Sequence, residues 1–392
     1  MHDKIKDTIQ DCNINFLLGS GLSLPYLKTL GSIEALLTEL ETRELDVNTK
    51  KIIRVSLYKK YFDEVIGKNP QILEPDAAVH AVLDQYYAFL KTLNSILLKR
   101  KVTLLSKEVN LFTTNVDIFL EKALEDLNLE YNDGFNGRFK PKFSLSNFKK
   151  SHFKKSLHYD NTAELPVFNL LKLHGSLSWE VADKDVVFSC DLKHVKEVAS
   201  KTMTPDHILD VPADATIDTL VAAAAGKSAD VSTDAFMEAY EKLLIVVNPT
   251  KEKFKHTLMN QTYYELLRLY SNELEKENTV LFVMGFSFAD EHLCEITLRA
   301  ANSNPTLMIY VIAHSSKAKA EIEARFGENN IKNNNIEIIA PDQEDVAGGT
   351  KKDKFDYNFT TINEKILGLV LEKVDSEDVP EDEQSDSSEE DE

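Results

Sequence analysis

The chain has 392 residues, 43% of them hydrophobic and 28% charged, with a formal net charge of −20. This is ordinary globular composition, enough for one large domain or two ordinary ones. No apolar run approaches the roughly 20 residues of a membrane span, and Met1-His2-Asp3-Lys4-Ile5-Lys6 lacks the apolar core of a secretory signal.

Three cysteines, Cys12, Cys190 and Cys294, lie far apart and none belongs to a C-x-x-C pair. Neither a disulfide framework nor a zinc site is expected from such spacing, no metal ligand is assigned, and a cytoplasmic protein is the simplest expectation. Residues 375–392 hold 11 acidic residues and no Lys or Arg, which leaves about −9 for the remainder. With so little to bury, this tail is expected to be disordered. A moderately acidic body argues against a general nucleic-acid binder.

Asp3 to Asp11 has helical spacing, and Asn13 to Leu18 reads as a short strand. Gly19-Ser20-Gly21-Leu22-Ser23 follows at once, and helical spacing resumes over Ile33 to Leu45. Strand, glycine turn, helix can aim backbone N–H groups and a helix N-terminus at a phosphate. It is also a common tight turn. Leu24 falls where the third glycine of a dinucleotide fingerprint would stand.

Residues 46–106 repeat apolar residues at three-to-four spacing, which predicts a helical insertion packed over the glycine loop. Val109 to Phe112 then predicts a second strand, running into Thr113-Thr114-Asn115-Val116-Asp117 and a helix over 118–127. Polar residues there suit a site at a carboxyl edge, or a plain helix cap. From Arg138 to Asp160 lysines alternate with Phe139, Phe143, Phe148 and Phe153. This predicts a solvated flap or hairpin beside the site, its phenylalanines packed on the domain. Nucleic-acid contact is the sharper reading and a wet face the plainer one, so direct nucleic-acid binding is left undecided.

Leu170-Leu171-Lys172-Leu173 ends abruptly in His174-Gly175-Ser176, a buried strand delivering an imidazole to its carboxyl end. A structural, hydrogen-bonded histidine is the alternative. Residues 185–189 read as a further strand, and 191–240 as a second small helical insertion. Buried strands are then predicted at 243–249, 279–285 and 307–313, with helices over 257–276, 290–301 and 315–325 between them. A short strand at 336–339 and a helix over 359–372 close the pattern. Near-continuous apolar strands separated by amphipathic helices predict an α/β fold: a Rossmann-like, doubly wound parallel sheet with helical insertions, over residues 1–374.

Four strand-end motifs now stand in one order: Gly19-Ser20-Gly21-Leu22-Ser23, Thr114-Asn115-Val116-Asp117, His174-Gly175 and Gly285-Phe286-Ser287-Phe288-Ala289-Asp290. Together they resemble the sirtuin-like superfamily, particularly its bacterial antiphage-defence branch of NAD hydrolases. The resemblance spans about residues 13–315. Size and acidic tail look like the short sirtuin-like subunits that accompany a hexameric HerA-type ATPase.

The resemblance implies NAD as substrate, with Gly19, Ser20, Gly21 and Ser23 on its pyrophosphate. It implies Thr114, Asn115 and Asp117 around the nicotinamide ribose and His174 as base. Gly285, Ser287 and Asp290 would then hold the adenosine end. It also implies a homo-oligomer docked on the ATPase ring. Two departures stand out: the four-cysteine zinc module of sirtuin deacylases cannot be built here, and Leu24-Pro25-Tyr26-Leu27-Lys28 lacks their Asp and Arg. An NAD-dependent deacylase, or a non-catalytic NAD or ADP-ribose sensor, are the remaining classes.

Cleaving the nicotinamide–ribose bond passes through an oxocarbenium-like state. An imidazole can accept the proton released near neutral pH, and an Asn amide can both donate to and accept from sugar or water. NAD hydrolysis carried by His174 and Asn115, both outside the core, is therefore the expectation.

Overall fold

A computed structural model of the chain describes residues 1–29, 31–100, 104–248, 257–327, 331–346 and 350–376. Seven strands form the central sheet: β1 (Asn13–Leu18), β2 (Glu108–Thr113), β3 (Tyr131–Asn132), β4 (Val167–Lys172), β5 (Thr279–Met284), β6 (Leu307–Ile312) and β7 (Ile336–Ile339). They lie in the order β7-β6-β5-β1-β2-β4-β3, and every pair is parallel. β1 sits between β2 and β5, so the chain leaves it to one side first and returns on the other. A switch of this kind opens a crevice at the carboxyl ends of the strands.

The apolar runs in the sequence follow from burial on both faces. Every residue of β4 and β5 is buried. Ile14, Phe16 and Phe282 face one core, where Phe16 stacks on Phe282 with centroids 5.1 Å apart. Leu17, Phe112, Leu281 and Val283 face the other, covered by the helices Thr257–Leu274 and Glu291–Ser303.

The two helical insertions pack against each other. Helices Val47–Tyr61 and Ala77–Leu98 come from the first, and Lys193–Ala199, Ile217–Ala224 and Val231–Leu243 from the second. Tyr58 meets Tyr240 edge-on at 5.0 Å, Phe62 meets Phe236 at 5.9 Å, and Leu209 donates its N–H to Ser56 Oγ at 2.8 Å.

Three expectations need correcting. Residues 243–249 do not form a strand of the sheet: the helix Val231–Leu243 ends there, and Pro249 lies outside the described residues. Ile245, Val246 and Val247 are apolar because they are buried across the turn after β4, where Val246 bridges Gly175 in antiparallel fashion.

In the 138–160 flap, Phe148 is buried but Phe139 is fully exposed and Phe153 is 65% exposed. Lys142–Phe143 joins a four-stranded antiparallel sheet with Phe135–Asn136, Asp185–Phe188 and Trp179–Ala182, while His152–Lys155 pairs with Thr162–Leu165. Charged lysines on the outward side keep this segment in water.

At the carboxyl end, the last helix continues to Ser376 and Asp375 pairs with Lys99. Residues 377–392, the bulk of the acidic tail, lie outside the described residues. No helix among the described residues is long and apolar enough to cross a membrane.

Candidate active site

The crevice is a cleft of about 580 Å³, within the range of small-molecule sites. Segments following β1, β2, β4, β5 and β6 all line it, and they bring together all of Ser20, Gly21, Ser23, Thr114, Asn115, Asp117, His174, Gly285, Ser287 and Asp290. Gly19 is buried just behind, with no lining role. None of the flap residues 138–160 is among the lining residues, so the flap does not flank the site as expected.

Glycines 19 and 21 are explained by close backbone packing. A Cβ on Gly19 would sit 2.3 Å from Gly285 O, and one on Gly21 would sit 3.0 Å from Gly285 Cα. Gly285 itself has φ +64°, a conformation glycine adopts without strain. The loop forms a single 3-10 turn, Ser20–Ser23, and the next α-helix begins only at Ile33. Gly19 N–H donates to Met284 O, Gly21 N–H to Gly285 O and Leu22 N–H to Gly19 O. Two of the turn's donors thus hold it to β5 and the residue after it, and a third closes the turn on itself.

Asn115 and Asp117 are 5% exposed, and so belong to the buried interior rather than lying outside the core. The backbone N–H of Asn115 donates to Thr113 Oγ1 at 3.0 Å, fixing the turn after β2. Its Nδ2 donates to Gly19 O and Ser23 Oγ at 3.2 and 3.3 Å. Its Oδ1 is buried without a hydrogen-bond partner.

Asp117 is fully engaged. Oδ2 accepts from Ser23 Oγ at 2.7 Å and Oδ1 from Phe119 N–H at 3.2 Å, at the head of the helix Phe119–Asp126. Ser23 Oγ also meets the Tyr86 hydroxyl at 3.0 Å. Burial, with the Asp117 carboxylate beside it, holds that phenol far above its ordinary range. Behind the site, the buried Lys172 ammonium donates to Asp117 O and pairs with Glu121 at 3.1 Å, while Ser176 Oγ donates to Glu121 at 2.8 Å. A lysine inside an apolar strand is accounted for by this pairing.

The His-Gly pair has a steric reason. Gly175 has φ +78°, and a Cβ there would lie 2.2 Å from Ile245 O. The crossing segment also donates Val247 N–H to His174 O at 2.9 Å. The imidazole Nε2 stands 3.2 Å from Asp290 Oδ2, off the line of a hydrogen bond, and is buried with no hydrogen-bond partner. Asp290, beside His174, also caps the helix Glu291–Ser303, with Oδ1 accepting from His292 and Leu293 N–H at 3.0 and 3.2 Å.

No protein-family model and no curated protein matches this chain.

Sequence reading did not single out Glu34, Tyr61, Asn248, His314, Arg325 or Tyr357, which also line the cleft. They come from helices, crossovers and segments distant in the chain. For His314 a signal existed, since it directly follows the apolar run of β6 as His174 follows that of β4. The arrangement offers an imidazole with a carboxylate at its side, an amide oxygen seeking a donor, and a mouth lined by both charges.

Proposed function

We propose that this cleft binds NAD and hydrolyses its nicotinamide–ribose bond, giving nicotinamide and ADP-ribose. One observation carries the reading: a buried imidazole nitrogen and a buried amide oxygen, neither with a hydrogen-bond partner, belong to residues that line a single cleft at the carboxyl edge of a parallel sheet. Buried polar atoms are costly when left unpaired, so such a pair is what a polar ligand would satisfy.

In this reading Asn115 Oδ1 accepts from a ribose hydroxyl or from the attacking water. The bond from the anomeric carbon to the nicotinamide nitrogen breaks, and nicotinamide departs as a neutral ring. A water oxygen bonds to that carbon, and the water's proton passes to the His174 imidazole. Asp290 faces the imidazolium that forms and stabilises it. Asp117, with both oxygens already occupied, positions Ser23 and the turn carrying Asn115 rather than touching substrate.

The motif resemblance adds a biological setting, antiphage defence by NAD depletion, and a homo-oligomer docked on a hexameric HerA-type ATPase. Those parts rest on the resemblance alone. The experiment is to incubate purified protein with NAD, alone and with such an ATPase, and to separate the products chromatographically. Nicotinamide and ADP-ribose in equal amounts support the reading. An unchanged NAD pool in both mixtures rejects hydrolysis, and light scattering on the same samples tests the assembly.

A further inference from the structure

If the cleft takes NAD, two phosphates must be accommodated, and the glycine turn has few N–H groups left for them. Three of its N–H groups, those of Gly19, Gly21 and Leu22, are already donated within the protein. Four carboxylates line the cleft, Glu34, Asp117, Asp290 and Glu321, and each repels an anion. Histidines apart, the cations among the described lining residues are Lys28 and Arg325.

Arg325 lies in the last turn of the helix Ser316–Phe326. Its Nη1 donates to Ser287 O, in the turn that follows β5 and carries Asp290. That bond fixes the guanidinium at the cleft rim. A guanidinium has five N–H donors, so several remain for another acceptor. No carboxylate among the described residues pairs with it. A planar fork of this kind suits two phosphate oxygens at once.

We propose that Arg325 binds the diphosphate of the nucleotide from the β6 side of the cleft. This rests on the reading of the cleft as an NAD site. The glycines are then a packing device joining β1 to β5, and specificity for a diphosphate resides on the far side of the cleft, after β6.

The test measures binding of ADP-ribose and of adenosine to the full chain by calorimetry, for the wild type, Arg325→Ala and Arg325→Lys. Arg325→Ala should weaken ADP-ribose about 10- to 100-fold, the loss expected for a charge-assisted pair. Adenosine, which has no phosphate, should bind as before. Arg325→Lys should recover part of the loss, and the alanine variant should lose much of the salt dependence of ADP-ribose binding. Arg325 is exposed, so an unchanged melting temperature will verify the fold.

Equal ADP-ribose affinity in wild type and Arg325→Ala overturns the assignment while leaving the NAD reading intact. A parallel loss of adenosine overturns it as well, because the effect would not be on phosphate. A wild type that binds neither ADP-ribose nor NAD removes the reading of the cleft and this assignment together.

Discussion

Two buried polar groups in this molecule have opposite fates. Across the middle of the sheet, Asn15, Asn110, Asn169 and Asn132 occupy register-matched positions on β1, β2, β4 and β3. Asn110 donates to Asn15 Oδ1 at 2.8 Å, Asn169 to Asn110 Oδ1 at 2.9 Å and Asn132 to Asn169 Oδ1 at 2.9 Å. The row is closed on itself and by Glu273, which accepts from Asn110 at 3.2 Å. At the carboxyl edge, by contrast, Asn115 Oδ1 and His174 Nε2 have no hydrogen-bond partner, Nε2 having only the Asp290 carboxylate 3.2 Å away. The same residue type thus has its amide oxygen satisfied in the row and left without a donor at the cleft. What sets Asn115 and His174 apart is that their unmet hydrogen bonds fall in one cleft, where a ligand could meet them.

The contrast is broken most directly at His174. His174→Ala should reduce NAD cleavage about 10²- to 10⁴-fold with the melting temperature nearly unchanged. Asn115→Ala should lose activity similarly and also cost about 1–2 kcal/mol of stability, because its Nδ2 bonds to Gly19 and Ser23 are real. A variant within a few-fold of wild type would show the unpaired atoms to be incidental.

Gly175→Ala should be next in size. The added Cβ meets Ile245 O in a left-handed conformation, so a loss of about 2–3 kcal/mol in denaturant unfolding is expected, together with lost activity. Asn110→Ala should cost about 1–3 kcal/mol, since it orphans amides on both neighbours, yet leave turnover per folded molecule unchanged. If it abolished turnover at full stability, the division between the two polar groups would be wrong.

The smallest effect concerns pH. Burial raises the Asp133 carboxyl from its ordinary 3.8 to about 6, against the N–H donated by Phe135. The folded chain therefore holds this proton in a range where the unfolded chain has released it, and stability falls as pH rises from about 4 to about 6. Asp133→Asn should flatten that slope, with a gain of about 1 kcal/mol at neutral pH, checked by unfolding at several pH values.

Most of the sheet was legible in the sequence because its strands are mostly apolar and run into glycine or polar residues, as β1, β4 and β5 do. The motif-bearing turns follow from the same signal. The segment 243–249 misled because an apolar run looks identical whether it joins a sheet or crosses a turn. β3 is two residues long, too short to leave a periodicity. The asparagine row could not be read, since asparagine is depleted in strands and its pairing partners lie up to 95 residues away. Arg325 was hidden for a related reason: on its own helix it looks like any solvated cation.

The crossing of residues 245–247 over Gly175 bears on how the site is assembled. His174 O is held by the N–H of a residue 73 positions further on, beyond the whole 191–240 insertion. Closing a loop of that length is entropically costly. A nascent chain ending before Leu244 would carry the histidine and every motif upstream of it, yet lack the strap that sets the turn. The turn that carries the imidazole is thus completed only by a contact made across the whole second insertion.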